Sequence, residues 1–242
     1  MIALAIETTT DRLSVAGRVD GGEGRTAARA LDGARRHAAA LIPLIDEVLS
    51  ELGTTLPAVT DIAIADGPGS FTGLRVGAST VKALVRTHRQ IRVSAASTLM
   101  VRAAGAGAPH GAVVLVVTSA LRGELYAATY LVDLPNTVTT IKAPTLATPE
   151  SLHAQRPDLL VADAPEKLVE RLADQFQVPL VRGAASLPMA KALLSLVAVP
   201  GGAVPIEELD DWEPSYGRPA EAQAKWEAAH GRALPDTPSD RG

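Results

Sequence analysis

Gly67-Pro68-Gly69-Ser70-Phe71-Thr72-Gly73-Leu74-Arg75-Val76-Gly77 follows directly on the apolar run Asp61-Ile62-Ala63-Ile64-Ala65 and its closing Asp66. The run has the length of a buried strand, the glycines and Pro68 break it, and apolar residues return at helical spacing from about Leu74 to Thr87. A strand, a glycine-rich turn and a helix start, in that order, are the unit of an α/β layer. Glycine permits positive φ and close backbone approach, and Ser70 or Thr72 can cap the helix. Backbone N–H groups at such a turn also hold anions, so Gly67, Gly69 and Ser70 are candidate anion contacts as well as turn formers. No Lys-Ser or Lys-Thr follows the glycines, which excludes a Walker-type phosphate loop. Gly73, Gly77 and Val81 recur every four residues, a spacing that lets a neighbour approach the helix backbone closely.

Toward the N-terminus, Met1 to Ile6 reads as a buried strand, Glu7-Thr8-Thr9-Thr10-Asp11 as a turn and Leu13 to Ala16 as its return, a hairpin with a hydroxyl-rich tip. Gly21-Gly22-Glu23-Gly24 turns the chain into a third strand around Arg25 to Ala30. From Ala34 to Leu52 the period changes: Ala38, Leu41, Ile42, Ile45, Val48, Leu49 and Leu52 form a helical stripe, with Leu44 off it and Gly53 at its end. Pro43 within the pattern predicts a bend or a late start. Toward the C-terminus come a strand at Ile91 to Val93, a helix from Ala95 to Ala104, and a small-residue joint from Gly105 to Gly111. Strands follow at Ala112 to Val117 and Glu124 to Val132, then Pro- and Thr-rich loops, a strand at Leu159 to Ala162, and helices over Ala164 to Gln175 and Met189 to Val199. This order predicts one α/β lobe over 1–104, completed by a helix over 219–230, a second over 111–205, and a disordered tail over 235–242. No fixed-period repeat is legible.

The chain has 242 residues, 47% hydrophobic and 21% charged, enough for one large domain or two small ones. It has no cysteine, which excludes a disulfide framework and a thiolate metal site. Its five histidines, at 37, 88, 110, 153 and 230, include no pair within one helical turn, so no metal site is expected. The opening apolar stretch breaks into threonines after six residues and no longer run approaches ~18 apolar residues; a cytoplasmic protein without a membrane span is expected. A net charge of -4 and 3% aromatics argue against a free-standing RNA-binding module. Two local basic clusters, Arg25, Arg29, Arg35 and Arg36, and Lys82, Arg86, Arg89 and Arg92, read first as solvated faces and second as RNA contacts within a larger complex.

The 67–77 segment, GPGSFTGLRVG, resembles the signature of the TsaB (YeaZ) family. Ala5 to Gly17 resembles that family's opening hairpin, ARRHAAALIPLIDEVL from Ala34 its first helix, and PSYGRPAEAQAKWE from Pro214 the C-terminal segment of some members. The resemblance implies a two-lobed actin- and Hsp70-like (ASKHA) fold with ribonuclease H-like lobes. It implies a non-catalytic scaffold or activator that pairs with a TsaD-type transferase, which threonylcarbamoylates the tRNA adenosine beside the anticodon. A TsaE-type ATPase joins the cycle, tRNA is contacted indirectly, and the chain forms a homodimer when alone. In the family the first two helices make the pairing surface, which here implies Ala38, Leu41, Ile45, Leu49, Gly73, Val76 and Gly77. A bulky residue at Gly77 is then expected to weaken pairing and leave the monomer folded.

Two departures from the family pattern stand out. Glu7 replaces the usual aspartate of the hairpin, which in nucleotide-binding relatives of the fold helps place metal-bound phosphate. Thr8, Thr9, Gly67, Gly69 and Ser70 are the nucleotide contacts the resemblance leaves open, but with the longer Glu7 no tight cofactor is expected, and ATP with Mg enters only within the complex. Ser119 and Leu121 replace an aspartate and an arginine at the start of the second lobe, where Gly123, Glu124 and Tyr126 are kept and Arg122 sits on the alternate side. The competing functions are a small ATP-binding enzyme of the same superfamily, for which Asp66 sits at a suitable strand end, and a peptidase. For the peptidase no histidine can be assigned as a base to Ser70.

Overall fold

Alternation along the first strand sets the layering. In the computed structural model, which describes residues 1–20, 24–33, 36–120, 124–152 and 156–216, strand β1 (Ile2–Glu7) turns Leu4 and Ile6 to one face and Ala3 and Ala5 to the other. The large side chains meet helix α1 (His37–Glu51) and helix α2 (Phe71–Thr87); the alanines let helix α5 (Ala190–Ser195) approach the opposite face, with helix α3 (Thr98–Gly105) beside it. β1 pairs antiparallel with β2 (Arg12–Val19), which pairs with β3 (Arg25–Asp32); on its other side β1 runs parallel to β4 (Asp61–Ala65), and β4 to β5 (Arg92–Ala96).

The second half repeats this arrangement. β6 (Ala112–Ser119), β7 (Leu125–Asp133) and β8 (Thr137–Ala147) form an antiparallel meander, and β9 (Leu159–Asp163) and β10 (Leu180–Arg182) continue parallel from β6. The strand order 3-2-1-4-5 thus occurs twice, as β3-β2-β1-β4-β5 and β8-β7-β6-β9-β10. Helix α4 (Glu166–Phe176) covers the outer face of the second sheet through Val169 and Leu172. Helix α5 (Ala190–Ser195) lies between the sheets beside α3, and β11 (Val204–Pro205) returns to pair with β5 at the edge of the first sheet. The result is five layers, helices outside, two sheets, and α3 with α5 between them. It is the actin-like (ASKHA) arrangement of two ribonuclease H-like lobes.

Some expectations change in detail. Leu44 is buried and Ile42 is 45% exposed, so the stripe of α1 runs through Leu41, Leu44, Ile45, Val48 and Leu49. β8 occupies a stretch expected to be loop; most of its residues are exposed, so it carries no buried period. The expected helix over 219–230, the tail over 235–242, and Leu121, Arg122 and Gly123 lie outside the described residues. No helix among the described residues is long and apolar enough to cross a membrane.

Candidate functional site

Distant stretches meet at the tip of the β1–β2 hairpin: Glu7 to Thr10, the glycine loop from Asp66 to Ser70 with the first turn of α2, and the face of α3 bearing Thr98 and Arg102. The glycines are there because the hairpin leaves no room for a side chain. A Cβ on Gly69 would stand 2.5 Å from the Thr9 carbonyl oxygen, one on Gly73 1.9 Å from that of Thr8, and one on Gly77 2.6 Å from Thr8 Oγ1. Gly67, at φ +114°, passes just as closely under the Ser215 carbonyl.

Two of the turn's N–H groups are taken up in the same contacts. The Ser70 N–H donates to the Thr9 carbonyl at 2.7 Å, and the Gly73 N–H donates to Ser70 Oγ at 3.2 Å, which caps α2. Thr8 and Thr9 are buried, with their hydroxyls turned into the protein. Phosphate binding at a helix start requires free, outward N–H groups. Thr8, Thr9, Gly69 and Ser70 therefore lock the hairpin to α2, with Gly67 held under Ser215, and the Ser70 N–H and Oγ are engaged within the protein. Among the described residues, no three His, Asp or Glu side chains gather as metal ligands.

Glu7 is fully buried and accepts the Thr9 N–H on Oε1. Burial pushes its pKa from 4.5 up to about 7, against the lowering effect of the Thr9 hydrogen bonds and the charge of Arg102. Arg102, itself buried, donates from Nη1 to the Ser186 carbonyl and from Nη2 to Asp163 Oδ2, each at 2.7 Å. A guanidinium anchored in the first lobe thereby grips the end of β9 and the chain before α5. Ser97 Oγ and Tyr130 OH, 2.8 Å apart, and the Ala190 N–H donating to Ser14 Oγ at 2.9 Å add two further ties between the halves. Burial raises the Tyr130 pKa to about 12, so the phenol keeps its proton. The sequence did hold a signal for Arg102, a charge within the otherwise apolar run Leu99-Met100-Val101, which can be buried only with partners. Asp163, Tyr130 and Ser186 left no comparable trace.

The expected pairing residues divide into two groups. Ala38 is exposed and Val76 half-buried, but Leu41, Ile45 and Leu49 point into the chain's own core. Gly73 and Gly77 face Thr8 and cannot be reached by another helix. The surface α1 offers outward consists of Ala38, Ala39, Ile42 and Pro43, with Ser79 and Ala83 exposed on α2. A bulky residue at Gly77 would strike Thr8 and disturb the fold, which corrects the expectation of an intact monomer. The basic cluster at 82–92 is largely neutralised: Lys82 pairs with Glu213, Arg86 with Asp210, and Arg92 with Asp61. The Lys82 and Arg86 bonds, with the Tyr216 ring centred 4.8 Å from Phe71 and tilted by 45° to it, strap residues 210–216 along α2.

Comparisons with known proteins bear on this geometry. The family model described as TsaD, tRNA N6-adenosine threonylcarbamoyltransferase, matches residues 32–192. The tRNA threonylcarbamoyladenosine biosynthesis protein TsaB of Escherichia coli strain K12 is 36% identical over 134 residues, 55% of this chain and 56% of that protein. The match thus spans little more than half the length of that relative, and a third of the TsaB of Haemophilus influenzae. Among solved structures, YeaZ from Pseudomonas aeruginosa superposes with a TM-score of 0.67 at 32% identity, covering 81% of this chain and 90% of that one. A second Pseudomonas aeruginosa structure, described as uncharacterized with similarity to peptidase YeaZ, gives a TM-score of 0.73 at 28% identity, covering 90% and 99%.

Proposed function

This chain belongs to the TsaB (YeaZ) family, and we propose that it is a non-catalytic partner subunit in threonylcarbamoyladenosine formation on tRNA. It pairs with a TsaD-type transferase, works with a TsaE-type ATPase in the cytoplasm, and forms a homodimer when its partner is missing. The observation that carries this is the closed hairpin tip. Its glycines stand in close internal contact, its Thr9 and Ser70 N–H groups are taken by Glu7 and Thr9, and its Glu7 carboxyl is fully buried. The same tip disfavours an ATP-binding enzyme, and Ser70 is engaged as a helix cap, not poised as a nucleophile.

Pairing uses the outward face of α1 and α2. The small residues Ala38, Ala39, Ser79 and Ala83 allow helices to approach closely, and Ile42 supplies an exposed apolar anchor. The buried Leu41, Ile45 and Leu49 hold that face in place from beneath.

Light scattering after size exclusion tests this on a mixture of the chain with its TsaD-type subunit. A heterodimer should form at the expense of the homodimer, and Ile42→Glu, which puts a charge at an exposed position, should weaken it by about tenfold or more. No complex from the unaltered chain, with or without nucleotide and the TsaE-type subunit, would overturn the assignment.

A further inference from the structure

Outside the carboxyl ends of β4 and β5, where open α/β sheets carry their ligands, lies a cleft of about 560 Å³ lined by Asp66 and by none of the hairpin residues. Its floor is apolar, built by Ala95, Met100, Ile206 and Trp212, with Val204 at its mouth. Val204 is 65% exposed and stands on β11, the outermost strand of its sheet. A large aliphatic side chain at an open sheet edge beside a concave apolar floor is a surface made to be covered.

The rim says by what. Asp66, Glu207, Glu208 and Asp211 line the cleft, and none of them forms an ion pair among the described residues. This contrasts with their neighbours in the same segment, Asp210 and Glu213, which are taken by Arg86 and Lys82 on α2. The segment therefore spends one set of carboxylates on holding itself in place and turns the other set toward the cleft. Asp66 is the deepest of the four. Its Oδ1 is buried without a hydrogen-bond partner, and burial raises its pKa to about 6, a cost that an arriving cation would relieve.

We propose that this cleft docks a segment of a partner protein that carries lysine or arginine beside apolar side chains. The apolar groups pack on Trp212, Met100 and Ile206, and the cations meet the four carboxylates. The acidic rim repels the phosphates of a nucleic acid, which sets the cleft apart from an RNA contact. The lining of the cleft shares no residue with the outward face of α1 and α2. The choice of partners for the test rests on the function proposed above.

Photo-crosslinking on the purified complex with TsaD-type and TsaE-type subunits decides the matter. p-Benzoylphenylalanine replaces Val204 in one preparation and Ile42 in another, and cross-linked peptides are mapped by mass spectrometry. The expected result is capture from Val204 of a lysine- or arginine-bearing segment of one partner. Combining Glu207→Lys, Glu208→Lys and Asp211→Lys should lower that yield about tenfold and leave the Ile42 cross-link unchanged. The proposal is overturned if Ile42 captures the transferase while Val204 captures nothing, only tRNA, or only residues 217–242 of its own chain. It is equally overturned if the triple charge reversal leaves the Val204 yield intact. Silence at both positions would remove the pairing proposal together with this one.

Discussion

Replacing Glu7 by glutamine isolates the energetic cost of the closed hairpin tip. The carboxyl is fully buried, and its pKa rises from 4.5 to about 7 chiefly through loss of solvent. The folded state thus holds the proton more tightly than the unfolded chain, and the sign is opposite to that of a salt-bridged carboxylate. Stability from this site is fully present below pH 4.5 and is lost as pH rises through 7. The total amounts to about 3 kcal/mol, most of which falls between pH 5 and pH 8. Glutamine keeps a carbonyl oxygen for the Thr9 N–H and cannot ionise. Any fixed penalty from its amide is the same at both pH values and cancels. Urea unfolding of the parent and Glu7→Gln at pH 5 and pH 8 measures the difference directly, since every other titrating group is common to both chains. The variant should gain about 2–3 kcal/mol relative to the parent on going from pH 5 to pH 8. A parent-to-variant gap that is the same at both pH values would refute the reasoning, because it would mean Glu7 ionises in the fold as easily as in water.

Two further substitutions probe the same region. Gly73→Ala places a methyl 1.9 Å from the Thr8 carbonyl oxygen, so backbone must move; a loss of about 2–4 kcal/mol in urea unfolding is expected, and a neutral result would mean that hairpin and helix are not locked together. Arg102→Met keeps much of the buried volume and removes both bonds to the second lobe. It should cost about 2–4 kcal/mol and raise hydrogen exchange at 183–190 and at the hairpin tip well above any change in α4.

Much of the fold was legible because burial leaves a signature in the sequence. β1 and β4 are buried on both faces and read as continuous apolar runs, whereas α1 buries one face and reads as a helical period. β8 buries almost nothing and includes Pro144, so Thr137 to Ala147 carries neither an alternating nor a continuous apolar signal. For α1 the apolar arc was wide enough to admit either Ile42 or Leu44; the position of the sheet makes the choice, and that is not a property of the helix alone. The spacing of Gly73 and Gly77 announced a close neighbour correctly but not its identity, which is Thr8 of the hairpin and not a second helix. Arg102 meets Asp163 across 61 residues of sequence, a separation at which no local pattern operates.

The ties made by Arg102, Ser97 and Ser14 have a consequence for how tightly this chain can be bound. A two-part body free to open and close spends only a fraction of its time in the shape a partner recognises, and its apparent affinity is reduced by that fraction. Pinned at three points, the halves hold one relative orientation before any encounter. A partner that touches both halves then meets a preorganised surface, and association loses little conformational entropy beyond that of the side chains in contact.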